Sequence, residues 1–154
     1  IPAAGQVEDE QHNMDMKVEY LDKEGHPLDV SRLEQGTDFM ARVTVRNRDI
    51  QDYDEMALTQ IFPSGWEIHN DRLAIDGQSG SDYDRPEYLD IRDDRVYSYF
   101  DLGQGRKKTF VVSLNAAYQG RYYLPAVYCE AMYDHSIRAR KGGRWVEVVR
   151  PGGE

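Results

Sequence analysis

Cysteine is almost absent from the sequence, and long apolar runs are missing altogether. A single cysteine, Cys129, excludes a disulfide within the chain. It lies in an apolar run, where the role of a small buried hydrophobe is favoured over that of a reactive thiol. No stretch is long and apolar enough to predict a transmembrane helix, and no signal peptide or lipobox is present. Because the first residue is Ile1 and not an initiator methionine, we expect the chain to be a fragment of a longer protein.

Clusters of basic residues are also scarce. The 19 Lys and Arg residues are scattered among 28 Asp and Glu residues, and the formal net charge is −9. A surface that neutralises phosphates needs clustered Lys and Arg. We therefore predict no nucleic-acid partner and no binding to an anionic membrane surface.

Sequence motifs of catalysis are missing as well. There is no Gly-x-Ser-x-Gly elbow, no phosphate-binding glycine loop and no His-Glu-x-x-His. The four histidines fall in predicted turns or linkers, and none is spaced as a metal ligand beside another His or Cys. They are His12, His26, His69 and His135. We predict a protein that is not an enzyme and has no cofactor and no metal site.

An acidic stretch from about His69 to Asp94 leaves two weaker alternatives open. Asp82, Asp84 and Asp90 suggest a calcium loop, although the central Gly and terminal Glu of the usual calcium-binding pattern are missing. Glu87 with Asp94 offers the carboxylate pair of a glycosidase, at no more than the chance level of an acid-rich loop. We interpret the stretch first as a solvated connection between two sheets.

What the sequence does contain is a strong signal for β-structure. Its 11 tyrosines favour strands, and its 154 residues fit one domain. We expect a linker or entry segment at residues 1–13, a domain at residues 14–150 and a short tail at residues 151–154. Alternating apolar and polar residues predict seven strands and no helix. The strands are Met14 to Tyr20, Phe39 to Asn47, Met56 to Phe62, Arg95 to Leu102, Thr109 to Ala117, Arg121 to Met132, and Arg144 to Val149.

Seven short strands with turn signals between them are typical of an all-β fold, a two-layer antiparallel β-sandwich. Gly103-Gln104-Gly105 predicts a tight hairpin, Gln119-Gly120 joins the next two strands, and Asp134 to Lys141 is predicted to be a loop. One parity of each strand predicts the core. The predicted core includes Val43, Val45, Val112, Leu114, Leu124 and Ala126.

The segment that follows Gly120 carries a specific resemblance. It reads Gly-Arg-Tyr-Tyr-Leu-Pro, then Glu-Ala-Met-Tyr-Asp from Glu130 to Asp134, then Arg-Ala-Arg. This order resembles the closing segment of bacterial alpha-2-macroglobulins. Two further stretches agree, Tyr88 to Val96 and Phe62 to Ile68, so that the resemblance covers most of the chain from Met14.

The resemblance implies a macroglobulin-like domain that corresponds to the receptor-binding domain of the animal proteins. Such proteins are large protease traps of the periplasm or cell envelope, in which an exposed thioester couples covalently to the attacking protease; lipid anchoring of the parent is left open. The last domain packs against the thioester domain, and the methionine of Glu-Ala-Met-Tyr-Asp helps to shield the thioester from water. Met132 is the matching position, with Tyr133 beside it and Tyr128 on the same predicted strand.

The implied partners are therefore the thioester domain and other domains of the parent chain, and target proteases through the parent. The thioester motif itself belongs to another domain, and in a parent that lacks it Met132 is a packing residue. A different class of function stays open beside this one. Trp66 and surface tyrosines could form the stacking platform of a carbohydrate- or peptide-binding sandwich, and converging aspartates would instead favour a calcium-dependent adhesion domain.

Overall fold

A computed structural model describes residues 10–11, 14–69, 86 and 88–152. Thirteen strands and no helix lie in these described residues. The strands are β1 (Glu10–Gln11), β2 (Met14–Asp22), β3 (Arg32–Glu34), β4 (Asp38–Asn47), β5 (Tyr53–Ile61), β6 (Trp66–His69), β7 (Tyr88–Ile91), β8 (Arg95–Leu102), β9 (Lys107–Ala116), β10 (Gly120–Leu124), β11 (Val127–Ala131), β12 (Asp134–Lys141) and β13 (Arg144–Val149). In this part of the chain no helix is long and apolar enough to cross a membrane.

The strands form three hydrogen-bonded sheets. One sheet of four strands has the order β2-β4-β9-β6. A six-stranded sheet has the order β1-β12-β11-β5-β8-β7, and a three-stranded sheet has the order β10-β13-β3. All pairs are antiparallel except β3 with β13, which run parallel. The predicted all-β sandwich is confirmed, with the four-stranded sheet as one layer and the other two sheets sharing the opposite layer.

Two hydrophobic cores lie between these layers. The first core joins one half of the four-stranded sheet to the six-stranded sheet, through Val43 and Val45 on one side and Leu58 and Cys129 on the other. The second core joins the other half to the three-stranded sheet, around Trp66. Alternation along β4 buries one face of the strand, and over its 10 residues this face contributes Phe39 and Ala41 to the second core and Val43 and Val45 to the first. Of the six predicted core residues, Val112 is only partly buried and the other five are buried.

The last hairpin of the chain links the two sheets of the second layer. Strands β10 and β13 pair as far as Leu124 and Arg144, and β11 and β12 resume the pairing at Val127 and Lys141. Pro125 lies at the break and has no N–H to donate to a ladder. The predicted single strand from Arg121 to Met132 is therefore wrong: it is two strands of different sheets. The predicted loop from Asp134 to Lys141 is also wrong, because this segment is β12.

The predicted hairpin at Gly103-Gln104-Gly105 is wrong, and both this turn and the one at Gln119-Gly120 connect strands of different sheets. Gly103-Gln104-Gly105 joins β8 of the six-stranded sheet to β9 of the four-stranded sheet, and Gln119-Gly120 joins β9 to β10 of the three-stranded sheet. The turn residues were read correctly, but tight turns do not reveal which strands pair. The acidic stretch contains a further strand, β7, and His69 and His135 lie in strands instead of turns.

Candidate functional site

Met132 and Tyr133 form the tight turn between β11 and β12. Their side chains are 54% and 56% exposed, in contrast to the buried Ala131 just before them. Two large apolar side chains that are more than half exposed at the tip of one hairpin mark the turn as a candidate contact surface.

The shape of the turn depends on an irregularity in the ladder. The register between β11 and β12 shifts after Glu130, so that Ala131 lies opposite Asp134. Such a bulge bends the strand and re-aims the side chains that follow it. On the far side of the turn, Ser136 donates both its N–H and its hydroxyl to one carboxylate oxygen of Asp134, at 3.0 and 2.7 Å. The turn is thus fixed from the β12 side.

A second bulge, in the neighbouring strand β5, fixes the turn from the other side. The N–H of Met132 donates to the carbonyl of Glu55 at 3.0 Å. Glu55 has a φ of 55°, the one positive φ among the described residues other than glycine. A non-glycine residue in this region is under strain and persists only where its surroundings hold it. Here the N–H of Glu55 donates to a carboxylate oxygen of Asp101 on β8 at 2.9 Å.

The turn is therefore held through its backbone. Asp101 fixes the Glu55 peptide, the Glu55 carbonyl fixes the Met132 N–H, and the side chain of Met132 is left outside. An unbranched thioether in such a place can adapt to the surface it meets. The arrangement presents an apolar group without burying it.

Tyr53 lies beneath this end of the sheet. Its ring is buried, and its hydroxyl donates to the carboxylate of Asp49 at 2.8 Å. Burial raises the pKa of Tyr53 most, and the hydrogen bond to the Asp49 carboxylate raises it further. The same bond lowers the pKa of Asp49. The phenol therefore stays protonated and joins the loop that carries Asp49 to the neighbourhood of the Met132 turn.

Tyr128 does not share the turn with Met132 and Tyr133. It lies on the outward face of β11, where the guanidinium of Arg140 is 5.9 Å from the centre of its ring, and it is 40% exposed. Met132 is four positions further along the chain, a distance of roughly 13 Å at the rise of an extended strand. The structure thus brings two of the three predicted site residues together and places the third on the sheet face.

Sequence reasoning missed Ile50, the most exposed large apolar residue of the described part of the chain, at 88%. It lies in the loop between β4 and β5, at the same end of the sandwich as the Met132 turn, because β5 begins where β11 ends. The available signal was a lone isoleucine between Asp49 and Gln51 in an otherwise polar loop. The sequence analysis also did not identify Glu55 on β5 or Asp101 on β8 as functional residues.

The alternative sites fare differently. Trp66 is 2% exposed among Tyr20, Phe39 and Phe62, so the prediction that it forms a stacking platform is wrong. Of the proposed calcium and glycosidase residues, Asp82, Asp84 and Glu87 lie outside the described residues. Those that are described form local ion pairs, Asp90 with Arg92 and Asp94 with Arg95.

One group of potential metal ligands occurs in the described residues, Asp22 with Glu24 and His26. A carboxylate oxygen of Asp22 accepts the N–H groups of both Glu24 and His26, each at 2.9 Å. These hydrogen bonds place the three residues in one exposed turn after β2. Cys129 is buried, as predicted, and burial raises the pKa of its thiol, which keeps the thiol protonated and unreactive.

Comparison with known proteins decides the family. The family model of the bacterial alpha-2-macroglobulin MG10 domain matches residues 14–135, from the start of β2 into β12. The chain belongs to this family. The resemblance read from the Glu-Ala-Met-Tyr-Asp stretch is thereby confirmed, and the fold is that of a macroglobulin-like domain.

Curated relatives are similar over much of the chain but are far longer. An alpha-2-macroglobulin homolog of Yersinia pestis is 24% identical over 160 aligned residues, which cover 91% of this chain and 8% of that protein. An alpha-2-macroglobulin of Pasteurella multocida is 31% identical over 121 residues, which cover 78% of this chain and 6% of that protein. The chain thus spans less than a tenth of the length of these relatives.

Solved structures show the same fold. A crystal structure of a Salmonella alpha-2-macroglobulin variant matches 95% of this chain with a TM-score of 0.81 at 20% identity, over 10% of its own length. A fragment of the Escherichia coli protein that runs from domain MG7 to the C-terminus matches 93% of this chain with a TM-score of 0.79 at 18% identity. This chain covers 24% of that fragment.

Proposed function

We propose that this MG10 domain is the non-catalytic C-terminal domain of a protease trap, where it packs against the thioester domain of its parent and shields the thioester from water. The observation that carries the proposal is the Met132 turn: two large apolar side chains held outside the fold by backbone hydrogen bonds. A partner domain that packs on this turn would bury both side chains.

The chemistry of a thioester explains why methionine suits this position. Thioesters hydrolyse in water, so their cover must exclude water while tolerating movement of the surfaces around it. Methionine is apolar, flexible and polarizable, and it fills irregular gaps well. Tyr133 adds a large ring with a polar tip, a side chain common at the edges of protein interfaces.

Solved relatives support a role in a protein that reacts with amines and responds to proteases. A Salmonella alpha-2-macroglobulin has been solved after reaction with methylamine. The Escherichia coli protein has been solved in a trypsin-activated form and in a form activated by porcine elastase. We extend the same behaviour to the parent of this chain, with target proteases as its external partners and the periplasm or cell envelope as its location.

The test replaces Met132 by Ala in the intact parent, provided that the parent carries a thioester. Loss of the cover should admit water and small amines, so that free thiol appears without any added protease. A thiol-reactive dye followed over time measures this directly. We expect the rate of thiol release to rise on the order of tenfold, as for the loss of one well-placed apolar contact. The matched control is Met40→Ala, a methionine half-buried on β4.

The same substitution in the isolated chain should leave it folded, because a half-exposed turn residue costs less to truncate than a core residue. A thioester that survives as long in the Met132→Ala parent as in the wild type would overturn the proposal. So would a Met132→Ala chain that no longer folds, since Met132 would then serve the domain itself.

A further inference from the structure

A groove of about 370 Å³ runs along one side of the sandwich, between strand β2 and the bend in the last hairpin. Strand β2 is an edge strand of the four-stranded sheet, and the bend lies where β10 ends and β11 begins in another sheet. Apolar residues line both walls, Val18 on β2 and Leu124, Pro125 and Val127 at the bend. A space of this size admits a small ligand or a short peptide segment. We call it the β2 groove.

The β2 groove contains an unpaired length of strand edge. The carbonyl of Tyr20 accepts the N–H of Leu28 at 2.9 Å, so the peptide groups of Tyr20 face away from β4. Residues two apart in a regular antiparallel strand direct their peptide groups to the same side, and β2 pairs with β4 without a register shift. The N–H and C=O of Val18 therefore face the free edge as well. Among the described residues neither group has a hydrogen-bond partner.

This open length is short because it is bounded on both sides. Beyond Tyr20 the edge is occupied, since Leu21 forms a bridge with Pro27. In the other direction β12 lies against β2, and Met16 shares the first core with Ile137. A partner strand can therefore pair with the edge over about three residues, roughly 10 Å of extended chain.

Positive charge surrounds the open length. Lys17 on β2, Lys141 at the end of β12 and Arg144 at the start of β13 line the β2 groove, and none of the described residues that line it is acidic. The chain as a whole carries a formal charge of −9. The three cations come from three strands, so the fold collects them from separate parts of an acidic sequence.

Two acidic side chains lie next to the β2 groove, and both are held by other groups. One carboxylate oxygen of Glu19 accepts from two guanidinium nitrogens of Arg42, at 2.9 and 2.8 Å, and Lys17 is 3.5 Å from the other oxygen. Asp29 accepts the N–H and the hydroxyl of Ser31, at 3.0 and 2.7 Å. With Arg42 included, four cations thus stand beside two carboxylates, and the border of the groove keeps a net positive charge.

We propose that the β2 groove binds a short extended peptide with acidic side chains, which adds to the edge of β2 at Val18. The peptide backbone supplies the acceptor that the Val18 N–H lacks and the donor that its carbonyl lacks. Carboxylates on the peptide pair with Lys17, Lys141 and Arg144. A lysine on an edge strand normally prevents other strands from pairing with it. Here the cations disfavour neutral and basic strands and favour an acidic one.

The inference goes beyond the proposed function and needs neither the Met132 turn nor a thioester. A free carboxylate ion is the simplest competing ligand. Such an ion accepts hydrogen bonds but has no donor for the Val18 carbonyl, so a peptide satisfies both groups and the ion only one.

The experiment titrates the isotope-labelled chain with synthetic peptides and follows its backbone amides by NMR. The probe is acetyl-Glu-Val-Glu-Val-Glu-amide, and the matched control peptide carries Gln in place of each Glu. Glutarate is the third ligand, because it supplies two carboxylates without a peptide backbone. All three are compared at the same low ionic strength, since exposed charges are screened by salt.

Three variants of the chain complete the design. Lys17→Glu reverses one charge of the β2 groove, and Lys23→Glu is its control, because both side chains are 73% exposed and Lys23 lies in the turn after β2. Val18→Pro removes the N–H on the free edge, where a proline is tolerated, and leaves the bonds of Lys17 and Glu19 to β4 in place. The amide spectrum of each variant confirms that it is folded.

We expect the Glu peptide to bind with a dissociation constant on the order of 0.1–1 mM and to shift the amides of Val18, Tyr20 and Gly142. The Gln peptide and glutarate should each bind at least about tenfold more weakly. Lys17→Glu and Val18→Pro should each weaken binding of the Glu peptide by a similar factor. Lys23→Glu should change it by less than about twofold.

Several results would overturn the inference. One is the absence of binding up to about 10 mM peptide, or shifts confined to amides outside the β2 groove. Equal affinity for the Gln and Glu peptides, or equal losses in Lys17→Glu and Lys23→Glu, would show that the cations do not select the ligand. Glutarate that binds as tightly as the peptide, or a folded Val18→Pro chain that binds like the wild type, would show an anion site without strand addition. None of these results bears on the proposed function.

Discussion

The two ends of this sandwich differ in whether their large apolar side chains are buried or exposed. At the end where β4 begins and β5 runs out, Trp66 is buried among aromatic rings, with the Phe39 ring centre at 4.9 Å and the Tyr20 ring centre at 6.0 Å. At the end where β4 runs out and β5 begins, Ile50, Met132 and Tyr133 lie outside. The difference shows that an apolar side chain is not buried merely because it is apolar. We call the end around Trp66 the closed end, because its large side chains are buried, and the other the open end, because its large apolar side chains are exposed.

Backbone contacts show how each end reaches its state. At the closed end the carbonyl of Gly65 accepts the N–H groups of Ala117 and Tyr118, and the ring of Tyr122 fills the space where a Gly65 side chain would be. At the open end the Glu55 carbonyl and the Asp101 carboxylate fix the peptide chain and leave the side chains free. Packed aromatic rings bury the side chains at the closed end, whereas hydrogen bonds at the open end order the backbone and leave the apolar side chains exposed.

The largest expected effect comes from breaking the closed end. Trp66→Ala should lower the free energy of unfolding by about 3–5 kcal/mol, because it empties the centre of an aromatic cluster. The matched control is Trp145→Ala, since Trp145 is 49% exposed on β13 and contacts Tyr123 and Arg121 at the surface. Its loss should cost about 1 kcal/mol. Urea unfolding of both variants measures the two costs, and equal costs would mean that the burial of Trp66 among aromatic rings adds no stability beyond that of an exposed Trp.

A smaller effect is expected at the open end, where Asp101→Ala removes the acceptor of the Glu55 N–H. The loss should cost about 1 kcal/mol of stability, and it should also speed hydrogen exchange at the Met132 amide, because the strained peptide is no longer held. Asp101→Asn keeps an acceptor oxygen and should restore most of the protection. Amide exchange followed by NMR measures both. If Asn and Ala behave alike, Asp101 does not position the turn.

The smallest effect concerns pH. The pKa of Asp49 is lowered, mainly by the Tyr53 hydroxyl and then by the Ile50 N–H. A lowered folded-state pKa adds stability above the ordinary carboxyl value of 3.8, and this stability is lost as the pH falls through the folded-state pKa. Asp49→Asn should therefore flatten the acid side of the curve of stability against pH. Thermal melts between about pH 2 and pH 5 test it, with Glu34→Gln as control; identical acid limbs in Asp49→Asn and wild type would contradict the assignment.

Much of the fold could be predicted from alternation. Strand β4 was expected from Phe39 to Asn47 and extends from Asp38 to Asn47. Strand β12 was missed because Ile137 and the small Ala139, which are buried, alternate with arginines in a pattern that resembles a charged turn. The break at Pro125 was visible as a proline, yet apolar residues on both sides concealed the change of sheet.

The candidate site was harder to predict. No periodicity distinguishes Met132 from a residue that ends a strand, and only the family resemblance pointed to it. Met132, Glu55 and Asp101 are connected by two hydrogen bonds between three strands, beside the bulge in β5. Contacts of this kind join residues far apart in sequence, so local patterns do not encode them.

The bent hairpin at the end of the chain also bears on how the domain comes apart. Its near half, β10 with β13, contributes Leu124 and Val146 to one core, and its far half, β11 with β12, contributes Cys129 and Ile137 to the other. One continuous hairpin therefore belongs to both cores, so the unfolding of one core disrupts the packing of the other. The domain should therefore unfold in a single cooperative transition, without an intermediate in which only one core is intact.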